Sequence, residues 1–180
     1  MQRKIFIAIT IPEPVKKRLI QKMQKWADLP VRWGKIENLH ITLAYLGFIE
    51  DENLPGICRS VRNAAREIEP FEVRLSEILI APSESQPRMI WAAGEKSTEL
   101  KTLVEAVEKS LGMHKQEKKS FAPHATLARI RKEKWMALPV KPEIQEKINF
   151  IIPVSELVIY ESLMLEGKRK YLLIENCLLR

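Results

Sequence analysis

Residues 3–10 (RKIFIAIT) are β-branched and aromatic and run into a Pro-containing turn at 11–14, the pattern of a strand entering a helix. From 15 to 26 the apolar positions fall at Val15, Leu19, Ile20, Met23 and Trp26 with Lys and Gln between them, which is helical spacing with Glu13 and Pro14 in the first turn. Residues 31–33 read as a short extended piece, and 38–48 (NLHITLAYLGF) as an apolar strand closed by Gly47. Asp51 and Asn53 are placed to cap a second helix over 54–68, whose apolar residues recur every three or four positions until Pro70 ends it. Strict alternation over 71–80 predicts a half-buried strand, residues 81–87 a loop, and 88–93 a strand pairing back onto it. Ser97 caps a third helix through Leu111, stopped by Gly112. A charged loop at 115–119 precedes a strand over 121–130 (FAPHATLARI); Pro139 and Pro142 punctuate a connection, and 150–162 and 170–177 read as the last two strands around a turn at Glu166-Gly167. This order is α+β, and with no low-complexity linker residues 1–180 are expected to form a single domain, with room for two lobes.

The apolar stretches fall short of the ~18–20 residues a membrane span needs, and residues 11–14 (IPEP) do not resemble a signal-peptide cleavage region. A cytoplasmic location is the expectation. Cys58 and Cys177 lie far apart without CxxC spacing or a paired His, so both read as core thiols and no zinc site or disulfide framework is suggested. Thirty Lys plus Arg against twenty-three Asp plus Glu leave a net charge of +7. That balance favours a polyanionic partner without specifying one.

The chemistry is concentrated in two of the three histidines. His40-Ile41-Thr42-Leu43 and His124-Ala125-Thr126-Leu127 repeat one pattern, 84 positions apart. Side chains alternate across a strand, so each segment presents an imidazole and a hydroxyl on one face and two apolar residues on the other. With five threonines in 180 residues, two of three histidines acquiring a Thr two places on by accident is on the order of a few in a thousand. Such a duplicated pair suits in-line displacement at a phosphodiester. One imidazole takes a proton from the nucleophile and the other gives one to the leaving oxygen, both starting near neutral pKa. The hydroxyls can donate to non-bridging phosphate oxygens. No HExxH, clustered Asp/His or Cys/His spacing supplies a metal site, so neither metal nor cofactor is expected. His114, within the charged loop, reads as solvated; Phe6, Phe121, Trp33 and Trp91 are each either core or base-stacking residues.

These residues carry a resemblance. The opening RKIFIAITIPEPV, the segments VRWGKIENLHITLAYLG and FAPHATLARIR around the two motifs, and the closing LVIYESLMLEGKRKYLLI resemble the two-histidine (2H) phosphoesterase superfamily, more closely its RNA 2′,3′-cyclic phosphodiesterase branch, also called 2′-5′ RNA ligases. The resemblance covers nearly the whole chain. It implies a fold of two pseudo-symmetric lobes, each with an antiparallel sheet and outer helices, flanking an active-site cleft. It implies hydrolysis of a terminal 2′,3′-cyclic phosphate of RNA to a 2′-phosphomonoester, with His40 as proton donor, His124 as proton acceptor, and Thr42 and Thr126 holding the phosphate. The family often carries an Arg after the second motif, matched by Arg129; strand parity puts Arg129 opposite His124, so a bulge or the strand's end is needed to bring it to the phosphate. Arg131 is a further basic candidate. The implied partner is RNA with cyclic phosphate ends, tRNA fragments among the candidates, acted on by a monomer. ATP-independent 2′-5′ ligation by the reverse reaction, a non-catalytic RNA-end-binding module, and a phosphodiesterase for small cyclic nucleotides are the alternatives.

Overall fold

A computed structural model describes residues 1–113 and 121–180; His114 and the charged run 115–119 lie outside the described residues. Among the described residues nine strands and four α-helices follow one another as β1 (Gln2–Thr10), α1 (Glu13–Met23), β2 (Val31–Trp33), β3 (His40–Glu50), α2 (Leu54–Ala65), β4 (Phe71–Ser83), β5 (Gln86–Gly94), α3 (Thr98–Ser110), β6 (His124–Ile130), α4 (Lys132–Met136), β7 (Gln145–Val154), β8 (Glu156–Leu165) and β9 (Lys168–Leu178). All strand pairs are antiparallel, in the order β7-β4-β5-β6-β3-β1-β8-β9, with β2 added to β6.

The two halves of that order are the two lobes. Strands β9-β8-β1-β3 form one and β6-β5-β4-β7 the other, and they meet through a single residue pair, Ile41 with Ala125. The lobes are therefore one sheet nearly parted at its middle rather than two separate sheets. They also share one core: Ile5, Ile7 and Ile9 of β1 are in the same buried cluster as Leu75, Ile90 and Leu127 of the other half and Leu19, Val61 and Leu103 of the helices. Each of these β1 isoleucines is at most 1% exposed, and burying one contributes about 1.5–3 kcal/mol. The intervening Phe6 and Ala8 belong to a small second cluster with Val158 on the opposite face of the sheet. Among the described residues the helices pack on the first face. α1 reaches the second lobe, where Lys22 bonds Glu146 of β7 at 2.5 Å and the Arg18 guanidinium sits 4.5 Å over the Phe150 ring. α2 lies against β9, with Arg62 Nε 2.6 Å from Glu175.

Several local expectations need correction. The 81–87 loop is strand down to a tight hairpin, pairing Ser83 with Gln86. Residues 150–162 are two strands, because the run is interrupted at Ser155 between β7 and β8, which belong to opposite lobes, β7 at one edge of the sheet and β8 between β1 and β9. α4 has no sequence expectation; its five residues bury only Trp135, too few for a periodicity. Asp51 and Asn53 make no side-chain cap to α2; Asp51 is instead the partner of Arg3 Nε at 2.5 Å, within a 3-10 turn that precedes the helix. Ser97 does cap α3, accepting from the Leu100 amide at 3.1 Å, and the chain leaves that helix through Gly112 at φ +63°. Cys58 and Cys177 are free, buried thiols, which burial pushes up to about 11 and about 12 respectively. No helix among the described residues is long and apolar enough to cross a membrane.

Candidate active site

β3 and β6 lie side by side at the middle of the sheet, and their sequences enter it in the same way. From the histidine onward both strands repeat one burial order: half-buried, buried, half-buried, buried, buried, exposed, half-buried. The two consecutive buried positions are Leu43-Ala44 and Leu127-Ala128, and they mark bulges. Against β1, Thr42 pairs with Ala8 and Ala44 with Ile7, so Leu43 is the extra residue; against β5, Thr126 pairs with Trp91 and Ala128 with Ile90, so Leu127 is. Each bulge reverses the parity of the residues after it. That is why Arg129, which simple alternation assigns to the face opposite His124, lines the same cleft as the histidines. In the first lobe the equivalent position is Tyr45, also on the cleft and 66% exposed.

The cleft has a volume of about 590 Å³ and takes in His40, Thr42, His124, Thr126 and Arg129. Continuing the Ile41–Ala125 register sets His40 across from Thr126 and Thr42 across from His124, an approximate twofold arrangement. Both imidazoles are anchored alike: Nδ1 of His40 lies 2.7 Å from the Asn38 carbonyl, and Nδ1 of His124 lies 3.1 Å from the Ala122 carbonyl. A carbonyl only accepts, so Nδ1–H donates in both rings and Nε2 is left as the atom that exchanges a proton. His40 Nε2 meets the Thr42 hydroxyl at 2.9 Å, and that hydroxyl lies 3.4 Å from the Tyr45 phenol.

Each histidine is backed by an aromatic ring from the next strand out. Phe6 of β1 lies 4.9 Å from the His40 ring, with Tyr171 edge-on at 5.1 Å; Trp91 of β5 stacks on His124 at 3.9 Å and 23°. Burial lowers the His40 pKa from its ordinary value; the Asn38 carbonyl opposes this, while the charges of His124 and Lys16 add to it. A charge on His124 therefore disfavours charging His40. Among the described residues the buried indole Nε1 atoms of Trp33 and Trp91 have no hydrogen-bond partner.

Of the aromatic residues left open by the sequence, Trp33 and Phe121 line the cleft, whereas Phe6 is 2% exposed and serves as a floor beneath His40 rather than a stacking surface. Arg131 is outside the cleft lining, at the N-cap of α4. Trp91, the fourth of those aromatic residues, backs His124 and is outside the cleft lining, while Tyr45 and Tyr171 carry no expectation as site residues from the sequence. A signal for Tyr45 exists: the repeat is longer than His-x-Thr, running HITLAY and HATLAR, so the position after the shared Thr-Leu-Ala is equivalent in both halves. A second groove of similar volume, beside α2 and β9, is lined by Arg3, Arg59 and Arg62 with Asp51 and Glu175, and two of its arginines are already engaged by carboxylates. It holds no histidine. Among the described residues no group of three or more His, Cys, Asp or Glu could hold a metal ion.

A sequence profile of the LigT-like phosphoesterases matches residues 9–91. The RNA 2′,3′-cyclic phosphodiesterase of Thermus thermophilus is 32% identical over 139 residues, covering 70% of this chain and 68% of the relative. The protein of the same name from Thermotoga maritima is 26% identical over 181 aligned positions, 96% of this chain and 93% of the relative. A solved structure of a Thermus thermophilus protein superposes with a TM-score of 0.84 at 25% identity, covering 98% of each chain.

Proposed function

Because the chain belongs to the LigT-like phosphoesterase family within the two-histidine superfamily and is a phosphodiesterase, we propose that it opens the 2′,3′-cyclic phosphate at an RNA end to leave a 2′-phosphomonoester. The observation that carries this reading is the matched pair of imidazoles on β3 and β6. Each has Nδ1 tied to the carbonyl two residues back, and each shares its face of the strand with a threonine beside one cleft.

In the proposed step, water on the His124 side attacks phosphorus and gives its proton to His124 Nε2. The P–O3′ bond breaks in line, and O3′ takes the proton from His40 Nε2; the P–O2′ bond is kept, so the product is a 2′-phosphate. Net, one proton leaves His40 and one arrives at His124, and exchange with solvent restores both. Burial that depresses the His40 pKa makes its charged form a stronger acid toward the leaving oxygen. Charged His40 donates through Nε2 to Thr42, which can in turn donate to Tyr45, so the acid is held ready until the leaving oxygen replaces the threonine as acceptor. The Thr126 hydroxyl, the Thr42 hydroxyl once the leaving oxygen has taken its place at His40 Nε2, and the Arg129 guanidinium are assigned to the non-bridging oxygens. Arg129 adds the charge-assisted interactions that two hydroxyls alone would lack.

The test is incubation with a short RNA bearing a 2′,3′-cyclic phosphate, in the presence of a chelator, followed by a 3′-specific phosphatase. A terminal phosphate resistant to that enzyme supports the reading; a 3′-phosphate overturns the assignment of the leaving oxygen, and an unchanged cyclic end overturns the reaction.

A further inference from the structure

Over the first lobe, the face of the sheet turned away from the helices carries a row of aromatic rings. Its positions are set by the ladder: on β1 they are Lys4, Phe6 and Ala8, which pair with Phe48, Tyr45 and Thr42 of β3. On the other side Phe6 pairs with Tyr160 of β8, and β9 brings Tyr171 opposite Ser162 and Leu173 opposite Tyr160. Four neighbouring strands each contribute an aromatic to this one face. Phe6 is its buried floor, with centroids 5.9 Å from Tyr45, 5.4 Å from Tyr160 and 4.8 Å from Tyr171. Along β3 the row continues past the catalytic cleft: Tyr45 is 66% exposed and Phe48 is 68% exposed.

Rings this exposed contribute little to the core, and a contiguous apolar patch rimmed by polar groups is the mark of a binding surface. Its continuity with the cleft says what it meets first, because Tyr45 and Tyr171 line both. Its charge says what kind of molecule extends along it. The Lys4 ammonium lies 5.8 Å over the Phe48 ring, Lys168 and Arg169 stand at the cleft margin, and the face ends where Gln2 bonds Glu50 at 2.7 Å. Aromatic rings on an open sheet beside cationic side chains form a platform for unpaired bases, each stacking on a ring while its phosphate meets a cation. A duplex keeps its bases stacked on one another and cannot use such a platform.

We propose that this face binds the single-stranded RNA immediately upstream of the reacting end, with successive bases on Tyr45, Tyr160 and Phe48 and Lys4 at a backbone phosphate; this rests on the RNA-end reaction proposed above. From His40 to Phe48 the strand advances roughly 25 Å, space for several nucleotides. The natural substrate is then an oligonucleotide with an unpaired 3′ segment, in preference to a cyclic mononucleotide or a blunt duplex.

The variant for the test is Phe48→Ala, outside the cleft lining and on the surface. Two substrates are compared, adenosine 2′,3′-cyclic monophosphate and an unstructured fluorescein-labelled hexanucleotide with a cyclic end. The kcat/KM on the hexanucleotide should fall about tenfold, the loss expected for one base–aromatic stack, with the mononucleotide unaffected. Anisotropy binding of the hexanucleotide, in a His124→Ala background that stops turnover, should weaken by the same factor. Equal losses on both substrates, or unchanged hexanucleotide binding while wild-type turnover persists, would overturn the surface and leave the reaction standing. A wild-type protein that turns over neither substrate, yet loses hexanucleotide binding on Phe48→Ala, would support the surface and remove the reaction. A shift in self-association by sedimentation equilibrium with RNA binding unchanged would reassign the face to a second copy of the chain and overturn the proposal.

Discussion

Gly94 closes β5 at the base of the segment that delivers His124, and a methyl group there has nowhere to go. A Cβ built on Gly94 falls 2.1 Å from the Arg74 carbonyl oxygen and 3.0 Å from Pro123 Cγ, ~1 Å short of an ordinary contact with the oxygen. The obstacle is backbone, and it is committed: Arg74 O accepts from the Glu95 amide at 3.1 Å, while the Gly94 amide donates to Pro123 O at 2.9 Å. Gly94→Ala must therefore part β4 from β5 or push Pro123 outward. Overpacking costs ~1–3 kcal/mol and strain in two backbone hydrogen bonds about 1 kcal/mol more, so we expect a loss of about 3 kcal/mol. For a chain of this length that corresponds to roughly a 6–12 °C fall in Tm. Because Pro123 immediately precedes His124, turnover should fall further than the folded fraction does, since ångström-scale misplacement can cost ~10²-fold. Thermal and urea melts followed by circular dichroism, with turnover measured well below Tm, are the assay. Gly56→Ala is the control: it sits in α2 with nothing within 4 Å of its Cβ and should hold stability or raise it by up to ~1 kcal/mol. A Gly94→Ala protein that melts within about 2 °C of wild type, the spread of a near-neutral substitution, would refute the reasoning.

The same geometry sets other expectations. His40→Ala and His124→Ala should each leave the melt close to wild type and lower turnover by several orders of magnitude; a variant with ordinary turnover would remove that histidine from the mechanism. The pH–rate profile should be bell-shaped, since the proposed step needs one imidazole charged and one neutral. Burial lowers the His40 pKa and Lys16 lowers it further, so activity that depends on charged His40 is present at low pH and lost as pH rises through that lowered value. Lys16→Gln should move this limb toward higher pH, and an unmoved limb in kcat/KM profiles would contradict the assignment. Ser97→Ala removes the acceptor for the Leu100 amide and should cost about 1 kcal/mol in urea melts without altering kcat.

The repeated His-x-Thr segments could be read directly because strand alternation and the titration range of imidazole are local properties, and the residues on each strand that face together follow from spacing alone. Helix α3 was equally accessible: Ser97, an apolar stripe and Gly112 are its cap, face and stop, all within one stretch of chain. The bulges were not. Leu43 and Leu127 differ in no local way from their neighbours, and what makes each the extra residue is the register against β1 or β5, a relation to residues distant in sequence. On that register depends the placement of Arg129 and Tyr45. The same holds for Phe6, whose type admits either a base-stacking or a core role; its burial beneath His40 is decided by β8 and β9 packing beside it. The break at Ser155 separates two strands that read as one apolar run, because a β-rich stretch carries no mark of the lobe to which each part will go.

Thus the sequence alone determined the types of the longer elements, the candidate side chains and their shared faces, since these rest on periods of two and 3.6 residues and on intrinsic side-chain chemistry. Tertiary structure alone decided that β3 and β6 lie adjacent, joined through Ile41 and Ala125, and which residues past the bulges look into the cleft. Pairing between strands more than eighty residues apart is selected by the burial of a core common to both lobes, and no local pattern encodes that sum.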